Sequence, residues 1–600
     1  MDVEGVRRAL IVGISEYAHL PDTKQLQYAD DDAEMVYAFL QSQASGSTQE
    51  AVLLRDSEAT AARITAELTR LREAAQAGDE IIFYFAGHGD VERIAETKRG
   101  RLLAYDAPSA QNYVGNGGTL PIQAVRDVMN EVAQKDARVF IITDACRSGS
   151  VNNDMGDGAR LTSAALAADW SRVVRFVSSS AQQLSEEDPT LGHGVFTYYL
   201  LDGLLGAADA PPYAVREDGT VDHNELLFYV RQQVARRTDS RQSPVLSGDP
   251  DRPLAVVDPS VTWQSLKDLV PPRNETQRYQ LLGELQVKER EQQLEDALSD
   301  SSRALARRFE TALQEGTLLA PGGAVDLYED LRGNVPPSYF SRFGDLLATA
   351  LEDQAQATLS EYFQSTGGGA TSGDSKTPDV GSLFSLPVEE IKQAGAAMAQ
   401  AQALRGASYP GYASLRSRAR FLVGLTHLLE GEHETAVQTL SSIELPSAFA
   451  LNALGLAHYK LQNLDAARDA LARAVELAPN WSEPRRYQGF VAQYEREWDA
   501  ALEFYQAAID RAPDSPILHV DLGEVHDRQG QWDAADAAWE EALRLDAERA
   551  APAITGFLSS RSRRPQRIAR AEAIYRAALQ IAPESAALST NQGGFYRTPA

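Results

Sequence analysis

The chain has 600 residues, of which 43% are hydrophobic, and carries a formal net charge of −28 from 57 basic and 85 acidic side chains. This length predicts several domains, and the apolar fraction is sufficient for buried cores. The acidic balance argues against a nucleic-acid-binding protein, which needs a basic surface. No apolar run approaches the ~20 residues that span a bilayer. We therefore expect no nucleic-acid partner and no membrane partner.

Cysteine usage and the first segment bear on the compartment. The chain has one cysteine, Cys146, which excludes an intramolecular disulfide and a thiolate metal cluster. The first segment, MDVEGVRRALIVGISEY, contains an apolar stretch that ends at Glu16 and has no small-residue cleavage site. It predicts a buried first strand rather than a signal peptide. Together these features favour a cytoplasmic protein.

In residues 1–257, short apolar runs alternate with amphipathic segments. The runs have the length and boundaries of buried strands and cover Ala9–Ile14, Ala51–Leu54, Glu80–Phe85, Arg101–Tyr105, Ala137–Thr143 and Arg172–Ser178. Helices are predicted between them at Asp31–Gln41, Thr60–Ala75, Pro121–Gln134 and Gly194–Leu205. The alternation predicts an α/β domain with a mostly parallel sheet flanked by helices on both faces. Ligands of such sheets bind beyond the carboxyl ends of the strands.

The rest of the chain is predicted to be helical. We expect a charged helical connecting region at residues 258–364 and a flexible linker at 365–380, which is rich in glycine, serine and threonine. A helical lead-in follows at 381–410, then a repeat region at 411–584 and a disordered tail at 585–600. In the repeat region, Gly455, Gly489 and Gly523 are spaced by 34 residues.

This 34-residue helix–turn–helix period, with small residues at helix contacts and prolines at helix ends, resembles tetratricopeptide repeats. Such repeats stack into a solenoid because each repeat buries its apolar face only against its neighbours. The resemblance implies a groove that binds a protein or a peptide. A purely structural or self-associating superhelix is the alternative.

Two strand ends carry the residues suited to chemistry. EIIFYFAGHGD places His88 between two glycines, and RVFIITDACRSGS places Cys146 after the second strand. The carboxyl ends of parallel strands share one edge, so the two side chains can meet. An adjacent imidazole lowers the pKa of a thiol toward the thiolate that attacks a carbonyl. The amides of Gly89 and Cys146 are candidate donors to an oxyanion. A cysteine found alone would more often be a small buried hydrophobe. A histidine found alone would more often be structural.

The segments RALIVGISEY, IIFYFAGHGD, VFIITDACRSG, HGVFTYYLLDGL and RQSPVLSG occur in the order seen in the caspase-like clan. Over about 255 residues the chain resembles metacaspases and bacterial orthocaspases. It is less similar to animal caspases, whose nucleophile follows Gln-Ala rather than the Asp-Ala found here. The resemblance implies a cysteine endopeptidase with a Cys146–His88 dyad and an oxyanion hole that includes the Gly89 amide.

The same resemblance implies an acidic substrate pocket. Metacaspases use the residue two before the nucleophile, here Asp144, and a residue after the first strand, where Asp32 aligns best and Asp30 and Asp31 are alternatives. Paired carboxylates attract a guanidinium or an ammonium, which predicts cleavage after arginine, or after lysine. Alternatively, Asp31 and Asp32 could serve only to stabilise the first turn of a helix, because their carboxylates interact favourably with its dipole. The family position of Ser178 implies that it lines the substrate cleft.

The acidic loop from Val151 to Arg160 follows the predicted nucleophile, where relatives carry a processing loop. Arg160 is therefore a candidate self-cleavage site, and the enzyme a candidate zymogen. The loop lacks the glutamate and spacing of an EF-hand, so we predict no metal and no cofactor, although calcium dependence, which many metacaspases show, stays open. His193 follows no buried strand and is predicted to be structural.

Two other functions stay open at this point. A degenerate caspase fold could serve as a non-catalytic scaffold whose repeats do the binding. An Asp-specific protease would need a cationic pocket, which the candidate positions do not supply, although Arg147 lies beside the cysteine. Joined to such repeats, which would recruit a substrate or a regulator, the peptidase looks like a component of bacterial defence or regulated cell death.

Overall fold

The structure is a computed structural model, and it describes residues 5–46, 48, 50–94, 97–108, 117–145, 173–180, 183–248, 252–273, 298–365, 387–561 and 565–583. The chain divides into two compact units. The first comprises Met1–Ser360 and Lys392–Ala419, and the second comprises Glu361–Ile391 and Arg420–Ala600.

Short, mostly buried strands form the framework of the first unit. In chain order they are β1 Arg7–Gly13, β2 Glu50–Arg55, β3 Glu80–Gly87, β4 Gly89–Ile94, β5 Thr97–Leu103, β6 Thr119–Pro121, β7 Arg138–Ala145, β8 Val173–Val177, β9 Glu187–Asp188, β10 His193–Gly194, β11 Thr220–Val221, β12 Val245–Ser247 and β13 Ala255–Val256. Among the described residues, the main sheet has the order β12-β8-β7-β3-β1-β2. Its strands run parallel except β12, which is antiparallel to β8. The prediction of a mostly parallel sheet is confirmed.

One predicted strand lies outside this sheet. The run Arg101–Tyr105 contributes to β5, which pairs antiparallel with β4 and β6 in a separate sheet. The expectation that this run joins the parallel sheet is therefore wrong. The physical reason is that the chain turns back through β4 directly after His88, so β5 is the return strand of a hairpin and not a crossover strand.

Helices cover both faces of the main sheet. The helices that begin in the first unit are α1 Ala29–Gln41, α2 Ala61–Ala74, α3 Ile122–Gln134, α4 Val195–Leu204, α5 His223–Arg237, α6 Trp263–Lys267, α7 Asp300–Gln314, α8 Ala324–Leu331 and α9 Pro337–Ser365. Later in the chain, α10 Val388–Arg405 begins in the second unit and ends in the first, and α11 Tyr412–Leu429 begins in the first. In β3, Phe83 packs into the core formed with α2 and α3, and Tyr84 packs into the core formed with α1, α4 and α5. Because every residue of β3 is buried, the strand has a continuous apolar sequence instead of an alternating one.

Helices beyond the α/β sheet also belong to the first unit. Arg72 donates from Nη2 to the Ser408 carbonyl over 3.2 Å, so the loop after α10 contacts α2. Arg405 pairs with Asp345 over 3.0 Å, and Arg418 forms a buried ion pair with Glu352. Residues 298–360 and 392–419 therefore fold with the sheet and not as an independent spacer. Within the described part of the chain, no helix is long and apolar enough to cross a bilayer.

The second unit is built from antiparallel helix pairs. Its remaining helices are α12 His433–Ser441, α13 Ala448–Lys460, α14 Leu464–Leu477, α15 Glu483–Glu495, α16 Trp498–Ile509, α17 Pro516–Gln529, α18 Trp532–Leu545, α19 Ala547–Arg561 and α20 Pro565–Ile581. The glycines that recur every 34 residues sit at close contacts between the two helices of a pair. A Cβ built on Gly455 would lie 2.6 Å from Leu471, and one on Gly489 would lie 2.6 Å from Tyr505. The predicted all-α repeat architecture is confirmed.

Adding a methyl group at one of these contacts should destabilise the second unit. A Cβ on Gly523 would lie 2.3 Å from Nε1 of Trp539, a buried indole with little room to move. We expect Gly523→Ala to lower the free energy of unfolding by about 1–3 kcal/mol through overpacking. Thermal unfolding measures the loss, with Glu540→Ala on the exposed face of α18 as the control. An unfolding midpoint equal to that of the control would contradict the close contact.

Candidate active site

The predicted dyad lies at the carboxyl ends of two adjacent strands. The register of β3 and β7 pairs Gly87 with Ala145, and these residues directly precede His88 and Cys146 in the sequence. Cys146 and Arg160 lie outside the described residues. The structure therefore describes the position of His88 and the strand that leads to Cys146.

His88 is buried, with 1% of its surface exposed, and is held by the loop between β1 and α1. Its backbone N–H donates to the Tyr17 hydroxyl over 2.7 Å, and the two rings stack with centroids 4.9 Å apart. Its Nε2 lies 2.6 Å from the carbonyl oxygen of Lys24. A carbonyl oxygen only accepts hydrogen bonds, so Nε2 carries the hydrogen. In this tautomer Nδ1 is the basic nitrogen of the ring.

The glycines beside His88 have distinct surroundings. A Cβ on Gly87 would lie 2.8 Å from the Tyr17 hydroxyl, so only glycine permits the approach between β3 and Tyr17. Gly89 begins β4 and pairs with Leu102 of β5. The candidate oxyanion donor therefore belongs to a hydrogen-bonded hairpin that starts immediately after the histidine.

Asp144 and Asp32 both contact the start of α4. The Thr197 hydroxyl donates to Asp144 Oδ2 over 2.7 Å. The Gly194 N–H donates to both oxygens of Asp32 at 3.1 Å, and His193 Nδ1 lies 2.9 Å from Asp32 Oδ1. Both carboxylates have no exposed surface in this structure. The helix start thus gathers two of the predicted pocket residues, and its N-terminal dipole favours their negative charge.

Ser178 lies at the end of β8 and is fully buried. Its hydroxyl hydrogen-bonds to that of Ser185, and its carbonyl oxygen accepts from Gln242 Nε2 over 2.9 Å. Its N–H donates to the Thr143 carbonyl over 2.9 Å, which ties it to β7 one residue before Asp144. The serine therefore supports the strand that carries the predicted pocket.

Asp31 contacts a different partner from Asp32, because consecutive helix residues point about 100° apart. Its Oδ1 lies 3.3 Å from Nη2 of Arg273, which also lies 2.6 Å from Asp30. Glu34 and Asp56 approach the same guanidinium at 3.0 and 3.5 Å. Burial raises the pKa of Asp31 to about 6, helped by the neighbouring acids and opposed by Arg273. The pKa of Asp56 is also raised to about 6, chiefly by burial.

Removing this arginine should destabilise the first unit in a pH-dependent way. We expect Arg273→Gln to lower the free energy of unfolding by about 1 kcal/mol at pH 7.5, a small value because water screens this half-exposed group. At pH 5, Asp31 and Asp56 are largely protonated, so Arg273 has less charge to neutralise and the loss should shrink.

The direction of this pH dependence follows from the raised pKa values of Asp31 and Asp56. Below pH 6 the folded state holds protons that the unfolded state, with carboxyl pKa values near ~3.9, has released. Ionised Asp31 and Asp56 therefore cost stability at pH 7.5, and that cost fades as pH falls from about 6 toward 4. Thermal unfolding at both pH values measures the difference. Arg332→Gln, which breaks an exposed pair with Glu329, is the control. A loss that grows on acidification would contradict the assignment.

Sequence reasoning did not single out Tyr17, Lys24 or Thr197. Tyr17 and Thr197 lie within RALIVGISEY and HGVFTYYLLDGL, so the motifs marked their segments but not their contacts. Lys24 acts through its backbone carbonyl, which leaves no signature in the side-chain sequence. His193, predicted to be structural, contacts Asp32 and packs its ring 5.3 Å from that of Trp263.

Within the described residues, His427, Glu430 and Glu432 are grouped closely enough to hold a metal ion. However, His427 Nδ1 lies 2.8 Å from Glu432, the residue five positions later. His526 Nδ1 makes the equivalent contact, at 2.6 Å, with Gln531, which is also five positions later. Because an amide replaces the acid in the second case, the arrangement serves the turn between repeat helices. We assign no metal to it.

The α/β domain and the repeat region each match a family model. Residues 6–254 match the family model described as Caspase domain, and residues 448–481 match the one described as Tetratricopeptide repeat. The chain therefore carries a caspase domain of the cysteine peptidase kind, joined to tetratricopeptide repeats.

Other comparisons add little to this assignment. No curated protein matches the chain. Among solved structures it is similar to protein GSU0716 from Geobacter sulfurreducens, with 18% identity over 42% of this chain and 100% of that chain and a TM-score of 0.30. It is also similar to MamA, with 23% identity over 27% and 86% of the two chains and a TM-score of 0.23. YrrB, described as a TPR protein with an unusual peptide-binding site, gives 20% identity over 27% and 81% and a TM-score of 0.23. Likenesses of this size carry no argument about function.

Proposed function

We propose that the chain is a cysteine endopeptidase that cleaves proteins after arginine, or after lysine, with Cys146 as nucleophile and His88 as base. The observation that carries the proposal is the pairing of Gly87 with Ala145 at the ends of β3 and β7. Consecutive Cα atoms are about 3.8 Å apart, so the residue after each strand end starts from the same edge of the sheet.

The tautomer of His88 argued above suits proton transfer. Nδ1 would take the proton of the Cys146 thiol, and the imidazolium so formed would keep its Nε2–H bond to the Lys24 carbonyl. The thiolate would attack the scissile carbonyl carbon, and the Gly89 and Cys146 amides would bind the oxyanion. His88 would then protonate the leaving amine, and water would hydrolyse the thioester.

The basic specificity rests on the carboxylates of Asp144 and Asp32 near the start of α4. A guanidinium pairs well with two carboxylates, whereas a substrate aspartate would be repelled. Both carboxylates are buried and already accept hydrogen bonds. An incoming arginine must therefore replace some of these contacts, such as the Thr197 hydroxyl on Asp144, and this exchange would favour the bidentate arginine over lysine.

The repeats would recruit a protein substrate or a regulator. Tyr487, Tyr505 and Trp539 are buried between helices, whereas Tyr494 and Trp532 are 49% and 60% exposed and are available to a partner. Self-cleavage at Arg160, a zymogen form, and a role in bacterial defence or regulated cell death belong to the same proposal, which includes no metal and no cofactor; the peptide assay below tests for calcium dependence. The cytoplasmic location expected from the sequence remains a prediction.

Peptide turnover tests the proposal. The full-length chain and Cys146→Ala should be compared on fluorogenic peptides that differ only in arginine, lysine or aspartate at the cleaved position, with and without calcium. We expect turnover of the arginyl peptide first and the lysyl peptide second, with none in the variant. Faster turnover of the aspartyl peptide would overturn the specificity. A folded wild-type chain that turns over none of the peptides under any activator would favour the scaffold.

A further inference from the structure

The loop that holds His88, residues 14–28 between β1 and α1, has little regular structure of its own. Among its described residues, only Asp22–Lys24 form a short 3₁₀ turn. The loop is closed at its base by a hydrogen bond from the Leu26 N–H to the Ser15 carbonyl over 2.9 Å. Something else must fix Tyr17 and Lys24, which lie seven residues apart, at the spacing that the histidine requires.

The side chain of Gln25 supplies this connection. Its Oε1 accepts from the Tyr17 N–H over 2.6 Å, and its Nε2 donates to the Tyr17 carbonyl over 3.1 Å. The same Nε2 donates to the Leu20 carbonyl over 2.8 Å. The amide thus pairs with both backbone groups of Tyr17, as a neighbouring strand would.

Gln25 also shares a peptide group with Lys24. The carbonyl that lies 2.6 Å from His88 Nε2 is bonded to the Gln25 nitrogen. A rigid peptide plane therefore links the histidine's acceptor to the residue that anchors Tyr17. Tyr17 in turn holds the backbone of His88 and stacks on its ring. The contacts form a closed circuit from His88 through Tyr17, Gln25 and Lys24 back to His88.

We propose that Tyr17 and Gln25 are positioning residues that hold the His88 ring in the orientation and tautomer needed to take a proton from Cys146. The inference rests on the proposed function. Neither side chain is assigned a contact with the substrate. Their effect is on the imidazole, because a ring that can rotate away from the thiol would pair with the thiolate less of the time.

Two substitutions remove the contacts without adding bulk or charge. Tyr17→Phe keeps the stacked ring and removes the hydroxyl that accepts from the His88 N–H. Gln25→Met keeps the length of the side chain and removes its hydrogen bonds to Tyr17 and Leu20. Matched controls in the same unit are Tyr213→Phe, which loses 2.8 Å bonds to Gln232 and Gln233, and Gln123→Met, which loses an exposed 2.7 Å bond to Asp127.

We expect each variant to lower kcat on an arginyl peptide about 10-fold with KM within about two-fold, in line with the loss of one buried hydrogen bond or a few. The rate of Cys146 alkylation by iodoacetamide should also change its pH dependence, with the midpoint moving up toward the ~8.5 of a free thiol. The controls should match the wild type in both measurements. A residue that served folding alone would lower the unfolding temperature and leave the pH midpoint in place.

The outcomes separate this inference from the function on which it rests. A wild-type chain with an alkylation midpoint near that of a free thiol and no turnover would overturn the dyad, and the positioning role with it. If the wild-type chain has a lowered alkylation midpoint, and Tyr17→Phe and Gln25→Met leave both kcat and that midpoint unchanged, the positioning role alone is overturned.

Discussion

Replacing His88 with alanine should lower kcat on an arginyl peptide by about 10²–10⁴-fold, with a smaller change in KM. A positioned general base contributes a factor of this size, and the loss falls on kcat because proton transfer occurs on the way to the transition state. The variant should also lose the low-pH reactivity of Cys146 toward iodoacetamide, since no imidazole remains to stabilise the thiolate.

The control for His88→Ala is His519→Ala in the repeat unit, where Nε2 of a half-buried histidine lies 3.1 Å from the Pro513 carbonyl. This change should leave turnover unaffected. Far-UV circular dichroism and thermal unfolding must show that His88→Ala remains folded at the assay temperature. Retention of more than about a tenth of wild-type kcat by a folded His88→Ala would show that another group acts as the base.

Replacing Asp144 with asparagine should lower kcat/KM on an arginyl peptide by about 10²-fold, with little loss of stability. Asparagine keeps an oxygen that can accept from the Thr197 hydroxyl but removes the charge that a guanidinium would meet. Loss of a charge-assisted contact to a buried ionic group costs about this much. A peptide with citrulline in place of arginine isolates the effect of charge, and the wild-type preference for arginine should shrink toward unity in the variant.

Asp209→Asn is the matched control for this substitution. Asp209 is another buried carboxylate of the first unit, and it accepts from the Asp218 and Gly219 amides at 3.1 and 2.9 Å. The Asp209→Asn substitution should affect stability without changing the ratio of arginine to citrulline turnover. An unchanged ratio in Asp144→Asn would place the basic pocket elsewhere, for example among the acids that hold Arg273.

The sequence was informative where a fold requirement restricts side-chain type. Buried parallel strands need continuous apolar runs, so the segments at β1, β3 and β7 could be located from the sequence. Close helix pairs need a residue without a side chain, so Gly489 and Gly523 revealed the repeat period. Their parallel direction predicted the shared edge at which His88 lies, whereas the register that pairs Gly87 with Ala145 came from the structure.

Contacts between distant segments and through the backbone could not be predicted in the same way. The Lys24 carbonyl would be present whatever side chain stood there. Arg273 lies more than 200 residues beyond Asp31, and nothing in either segment indicates their pairing. Strand β5 lies in a separate sheet because it pairs with β4 in a hairpin. The short apolar run at β5 does not reveal that pairing.

Covalent labelling of Cys146 tests the central claim most directly. The full-length chain should be treated with a peptidyl-arginyl chloromethyl ketone near neutral pH, and the modified residue located by intact mass and peptide mapping. The account predicts one adduct, on Cys146, that forms at least about 100-fold more slowly in His88→Ala and is absent in Cys146→Ala. A folded wild-type chain that acquires no adduct on Cys146, or acquires it at the same rate without His88, would contradict the account.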